Sequence, residues 1–356
     1  MNAHRPRSKY FGLLIVLLIA GCSRVPPLIE EAAAITSEVE IEQTSSREPT
    51  GTPQTEAVGQ EATELATKVP VTPSPTSTGR FVQFDDTLAE VGFSLPITIQ
   101  HISNSRAWLF FVLETPLAGE VFYWIDERED LGVYSIQFGD ESAQHLIELS
   151  DLQADTHYRV RVGFPTEAGD FVSPGLNGEM WGDILLHTYP EDLQHLRVAV
   201  IGDSGFGESI TYALAAQMAA KEPDFVIHTG DVVYSAFENE TPVNAYQAKY
   251  FWPFQKVLLQ APLYAVPGNH EYYSDASIGE ISYYFYVFPR LQELIQDKSW
   301  VGSNQIFRNW FAVRMMGYQF LFLESQRFYR SEGTAEQNEW LRQLLTEHDG
   351  PTVGVF

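Results

Sequence analysis

Three times between residues 196 and 271 a short apolar run leads to a glycine followed by a side chain able to hold a cation. Leu196–Ile201 leads into Gly202-Asp203-Ser204-Gly205, Phe225–His228 into Gly230-Asp231-Val232-Val233-Tyr234, and Leu263–Val266 into Gly268-Asn269-His270-Glu271. Runs this apolar read as strands buried on both faces, and the Ala- and Leu-rich stretch 208–220 carries helical spacing between the first two. Strand, helix and strand in that order predict an α/β domain over 196–356, which also holds a strand at Phe320–Leu323, a helix over 335–345 and a final apolar run, Thr352–Phe356. In an open α/β sheet, polar residues just past the strand ends converge on one edge. A single Gly-Asp is commonly a turn or a helix cap. Three in order, each after its own strand, point to a site.

Ahead of that domain the pattern is different. Between 92 and 188 short runs rich in aromatic and β-branched residues recur between turn signals: Ile97–Ile102, Ala107–Leu113, Val121–Trp124, Tyr134–Phe138, His145–Leu149, Tyr158–Val162 and Ile184–Leu186. Seven such strands predict an all-β sandwich. The stretch Leu149 to Val160 resembles the turn and following strand of fibronectin type III domains, with Tyr158 in the tyrosine-corner place. His101, His145, His157 and His187 are scattered along these strands, and no chemistry is assigned to them.

The first 79 residues fold into neither domain. Arg5, Arg7 and Lys9 precede an apolar run from Phe11 to Ala20, the pattern of an export leader over 1–21 and too short to span a bilayer. Leu18-Ile19-Ala20-Gly21-Cys22 resembles a bacterial lipobox, which implies a lipid on Cys22, a membrane anchor and a place outside the cytoplasm. An ordinary secretory signal with Cys22 as a spare thiol is the alternative. From Ser23 to Gly79 there are 57 residues without Phe, Trp or Tyr, in a chain that is 13% aromatic. Such a segment has too little apolar surface to offset its ordering entropy, so 22–79 reads as a disordered tether of roughly 40 Å reach.

Composition removes several classes. With 22 Lys+Arg against 47 Asp+Glu the net charge is -25, and no basic cluster follows the leader, so nucleic acid is not an expected partner. A single cysteine leaves no internal disulfide and no thiolate zinc site. A metal site must use Asp, Asn, Tyr and His.

The phrases Gly-Asp-x-Gly, Gly-Asp-x-x-Tyr and Gly-Asn-His-Glu resemble those of the calcineurin-like metallophosphoesterases, and Tyr234 makes the likeness one to purple acid phosphatases. Phe251-Trp252-Pro253-Phe254 and Glu339-Trp340-Leu341 resemble weaker landmarks of the family. The resemblance implies an αββα fold and hydrolysis of phosphate monoesters at a binuclear centre, iron with a divalent ion (zinc, manganese or iron). Carried onto this sequence it makes Asp231 the bridging carboxylate, Asp203 and Tyr234 ligands of one metal, Asn269 a ligand of the other and His270 the proton donor on the leaving-group side. A structural loop histidine held by Glu271 is the bland reading of His270. Glu271 is placed behind the ligands, and backbone N–H groups of 204–207 are candidates to face phosphate.

Two departures accompany the resemblance. Glu324 stands where the family has aspartate, and the three later histidines of the family site have no counterpart. His348 precedes the last run, and His228 reads as a packed core residue. The chain is therefore expected to be C-terminally incomplete, to bind metal weakly and to turn over poorly. A non-catalytic surface lipoprotein that binds a partner through its fibronectin-like domain is the rival from another class, and a phosphodiesterase of the same superfamily is a third reading.

Overall fold

The computed structural model describes residues 82–192, 195–234, 241–272, 310–315, 317–325 and 334–356, with short pieces at 12–17, 76–77, 287–288 and 300–301. Cys22, most of the tether and most of the aromatic-rich stretch 273–309 lie outside the described residues.

All seven runs expected as strands in the N-terminal half are strands, and they form a two-sheet sandwich. One sheet pairs Phe93–Ile102, Ala107–Leu113 and Gln144–Leu149. The other is built on Gly119–Ile125 and His157–Pro165, flanked by Tyr134–Phe138, Phe171–Ser173 and Ile184–His187. The tyrosine corner is present: the Gln153 N–H donates to the Tyr158 hydroxyl at 2.8 Å. The sandwich begins earlier than expected, because Phe84–Leu88 pairs with Phe171–Ser173; its polar centre, Asp85-Asp86-Thr87, is exposed and hides the strand from a hydrophobicity reading. Within the stretch read as a tether, Thr76–Ser77 pairs with Ser135 and Tyr134 along an otherwise open sheet edge.

The α/β domain has two sheets. In the first, β1 (His195–Ile201), β2 (Phe225–His228) and β3 (Leu263–Ala265) are parallel. Gly12–Leu17, inside the run read as a leader, pairs in parallel along the free side of β1. In the second, β4 (Phe311–Met315) and β5 (Tyr318–Phe322) form a hairpin, and β6 (Thr352–Val355) joins β5 in parallel. Phe225 meets Phe320 at 4.9 Å and Tyr264 meets Phe322 at 5.6 Å, so the sheets face each other. Helices α1 (Ser209–Ala219) and α2 (Trp252–Leu258) cover the first sheet, and α3 (Thr334–Glu347) lays Leu344 against Ala312 and Leu321 of the second. This is the αββα layering.

The approach to α2 was not expected as a helix. Pro242–Tyr246 is α-helical, capped by the Thr241 side chain accepting from the Asn244 N–H, and runs through a π-helical turn, Gln247–Phe251, into α2. Pro253 sits at the first turn of α2, where a missing N–H is tolerated.

The two domains share one core. Every residue of Ala107–Leu113 is buried, which an antiparallel strand with one wet face cannot achieve. Phe111 faces Phe138 inside the sandwich, while Phe110 lies with Leu95 and Ile99 opposite Tyr250, Phe251 and Leu263 of the α/β domain. Trp181 packs on Phe251 and Trp252 and donates its indole N–H to the Ile97 carbonyl. His101 Nδ1 is 2.8 Å from the Tyr264 hydroxyl, and the Tyr189 hydroxyl donates to the Asp224 carbonyl.

Candidate metal centre

The loops after β1, β2 and β3 meet at one sheet edge. Asp203 and Asp231 both adopt left-handed backbone, with φ of 54° and 55°. That conformation is uncommon for a residue with a Cβ, although aspartate tolerates it best, and it turns each carboxylate out of its strand line. Asp231 is buried and Asp203 exposed, so one lies at the floor and the other toward solvent. The second and third loops touch backbone to backbone. Gly230 has a φ of 103°, and a Cβ there would press on the Gly268 Cα at 2.6 Å; a Cβ on Gly268 would overlap the Asp231 carboxylate. Only glycine fits at either position.

Glu271 ties these loops. Its Oε2 accepts from the N–H of Asp231 at 3.0 Å and of Gly268 at 2.7 Å, and its Oε1 from Val232 at 2.7 Å and Val233 at 3.3 Å. Burial pushes the Glu271 carboxyl up to about 7, and the neighbouring Asp231 adds to that, against the pull of the backbone donors. Asp231 Oδ1 accepts the His270 N–H at 2.9 Å. Burial raises the Asp231 carboxyl above the usual range, the Asp203 charge raises it further, and the N–H groups of His270 and Asn269 oppose both.

The Tyr234 hydroxyl donates to Asp203 Oδ1 at 3.2 Å, and its ring meets His270 at 4.4 Å edge to face and Phe206 at 4.4 Å. Asp203, Asp231, Tyr234, Asn269 and His270 are thus brought to one place, with Glu271 behind them. The four donors to Glu271 given above are all backbone N–H groups. In the 204–207 loop, the Gly207 N–H turns back on the Ser204 carbonyl, leaving that amide unavailable to an anion. Glu324, following β5, is fully buried; it accepts the Tyr272 hydroxyl at 2.6 Å, and its backbone is held on both sides by the Gln337 amide of α3. Neither Tyr272 nor Gln337 stood out in the sequence, since a glutamine on a helix face carries no signal of what lies opposite. The signal that could have found His228, treated below, is a histidine closing an apolar run directly before Thr-Gly-Asp.

The candidate donors are two carboxylates, a phenol and an amide oxygen, a set that suits hard cations. Among the described residues no three His, Cys, Asp or Glu side chains are grouped closely enough to hold a metal by themselves.

Residues 196–355 match the family described as calcineurin-like phosphoesterase. No curated protein matches the chain in sequence. Among solved structures, the purple acid phosphatase PPD1 from yellow lupin (Lupinus luteus) seeds is similar at 14% identity and a TM-score of 0.48, over 71% of this chain and 48% of that one. The chain thus spans about half the length of the lupin protein. An FN3 domain of human collagen XX is similar at 18% identity and a TM-score of 0.22, over 31% of this chain and 100% of that one. The fn3 domain of human contactin 1 is similar at 18% identity and a TM-score of 0.22, over 33% of this chain and 92% of that one.

Proposed function

We propose that the α/β domain hydrolyses phosphate monoesters in the manner of an acid phosphatase, using two cations at the ends of β1, β2 and β3: iron, and a second ion that is zinc, manganese or iron. The observation that carries this reading is the link from Asp203 through the Tyr234 hydroxyl and ring to His270, whose N–H in turn holds Asp231. Asp231 would bridge the cations, Asp203 and Tyr234 would hold one, and Asn269 the other. When bound, the pair would neutralise phosphoryl oxygens and bring the pKa of water toward neutrality. The chain's own residues do the rest. Asp231 is preset by the His270 N–H, Glu271 fixes both loops, and the His270 imidazole would give a proton to the leaving oxygen.

The test is metal content together with hydrolysis of an aryl phosphate by the full chain. Two cations per chain with turnover support the reading. A folded protein that takes up no cation and hydrolyses nothing overturns it in favour of the partner-binding lipoprotein.

The proposal extends to location. The basic start, the apolar run and Leu18–Cys22 support export and a lipid on Cys22, with the catalytic domain outside the cytoplasm. Among the described residues no helix is long and apolar enough to cross a membrane. The mass of the N-terminal peptide from the membrane fraction decides it: a diacylated Cys22 supports the anchor, and an unmodified thiol removes it.

A further inference from the structure

Two buried side chains that the metal reading leaves unused run between the first two loops. His228 closes β2 and is fully buried, with the Phe254 ring of α2 edge-on to it at 6.3 Å. The Gly230 N–H donates to His228 Nδ1 at 3.3 Å, which places the lone pair on Nδ1 and the ring proton on Nε2. Nε2 lies 2.8 Å from the Oγ of Ser204, itself buried, so the Nε2–H donates to that hydroxyl. Burial also pushes the imidazole down to about 3, which keeps this neutral form in place at working pH.

Ser204 directly follows Asp203, and Gly230 directly precedes Asp231. The relay Ser204–His228–Gly230 therefore spans the floor between the two carboxylates. Glu271 does not do this, since its four donors lie on the second and third loops. Backbone bonds from the Asp203 N–H to the Gly230 carbonyl and from the Tyr234 N–H to the Gly205 carbonyl hold the same loops from the main chain. The relay adds a side-chain restraint at the two residues flanking the carboxylates. Both partners are out of water, so removing one leaves the other's polar atom unsatisfied.

We infer that Ser204 and His228 are positioning residues, which act through the backbone of Asp203 and Asp231 to fix how far apart the two carboxylates stand. The inference rests on the reading of those carboxylates as cation holders. The alternative is a histidine that merely fills space under Phe254.

The test uses the full chain and two readouts. The first is hydrogen exchange of metal-free protein at residues 202–205 and 229–231; the second is titration with manganese(II). Ser204→Ala and His228→Leu are expected to speed exchange in both segments together by about tenfold and to weaken manganese binding by a similar factor. His228→Gln, which keeps an N–H donor within reach of Ser204, and Ser204→Thr, which keeps the hydroxyl, are expected to recover most of both losses. A space-filling role predicts the opposite split: Ser204→Ala would leave both readouts within twofold of wild type, and that result overturns the inference. Should the wild type bind no manganese, the functional reading fails, while the exchange comparison still judges the relay.

Discussion

The β-sandwich and the α/β domain share a core yet bury different polar groups. Among the described residues the sandwich buries no carboxylate; its buried polar residues are histidine, serine and threonine. The α/β domain buries three, Asp231 after β2, Glu271 after β3 and Glu324 after β5, each just past the end of a strand. A buried carboxylate is costly unless its oxygens are occupied, and the fold fills those of Glu271 with four backbone N–H groups. The sandwich spends its burial on packing. The α/β domain accepts the desolvation of anions at one edge, and that edge is where the three Gly-Asp and Gly-Asn loops meet.

The largest expected effect breaks the shared core. Trp181→Ala removes a ring that touches Phe251 and Trp252 and a hydrogen bond to Ile97, and is expected to cost about 3–5 kcal/mol. Denaturant unfolding followed by probes in each domain should remain a single transition at lower midpoint. Two separated transitions in the wild type would show the domains to be independent.

Acid separates the regions next. His145 is wedged between Phe111 and Phe138, and burial lowers its pKa from 6.5 to about 4. The unfolded chain takes up a proton below about 6.5 that the folded sandwich refuses. The contribution of His145 to stability is therefore complete above that pH and is lost toward pH 4, by up to about 3 kcal/mol. His145→Leu should remove that part of the pH profile, leaving the same-signed contribution of His228, lowered to about 3, and the opposite-signed one of Glu271, raised to about 7. An unchanged profile would show that His145 titrates normally.

Glu271→Gln acts on the other region alone. An amide nitrogen in place of either oxygen would face two N–H donors, at an expected cost of about 2 kcal/mol, with faster exchange at 231–233 and 268 and none added in the sandwich. Exchange that rises evenly over both domains would contradict a local clamp. The smallest effect on stability is that of Tyr234→Phe, which loses one hydrogen bond to Asp203, about 1 kcal/mol or less. In iron-loaded protein the same change should abolish a visible charge-transfer band. A band that survives would take the phenol out of the donor set.

How much of this was legible in the sequence follows the same division. Strands showed because apolar runs bounded by turns report burial directly: Ala107–Leu113, Tyr134–Phe138 and Phe225–His228 have the expected limits. Phe84–Leu88 did not show, because its middle is solvent-facing. The candidate donors were legible as residues after strand ends. The ties among them were not: that Glu271 collects four backbone donors, or that His228 reaches Ser204, depends on loop geometry that no spacing encodes. The seam was hidden for a related reason, since His101 reads as a strand histidine without chemistry until Tyr264 of the second domain is placed against it.

The central claim is that the buried Asp231 exists to hold cations. Titrating full-length wild type and Asp231→Asn with manganese(II), alongside melting of the metal-free proteins, tests it most directly. The account predicts saturable binding to the wild type that falls at least about a hundredfold in Asp231→Asn, because the bridge loses its charge, while the metal-free variant melts no lower than wild type. Equal binding by the two proteins, or none by a well-folded wild type, would contradict it.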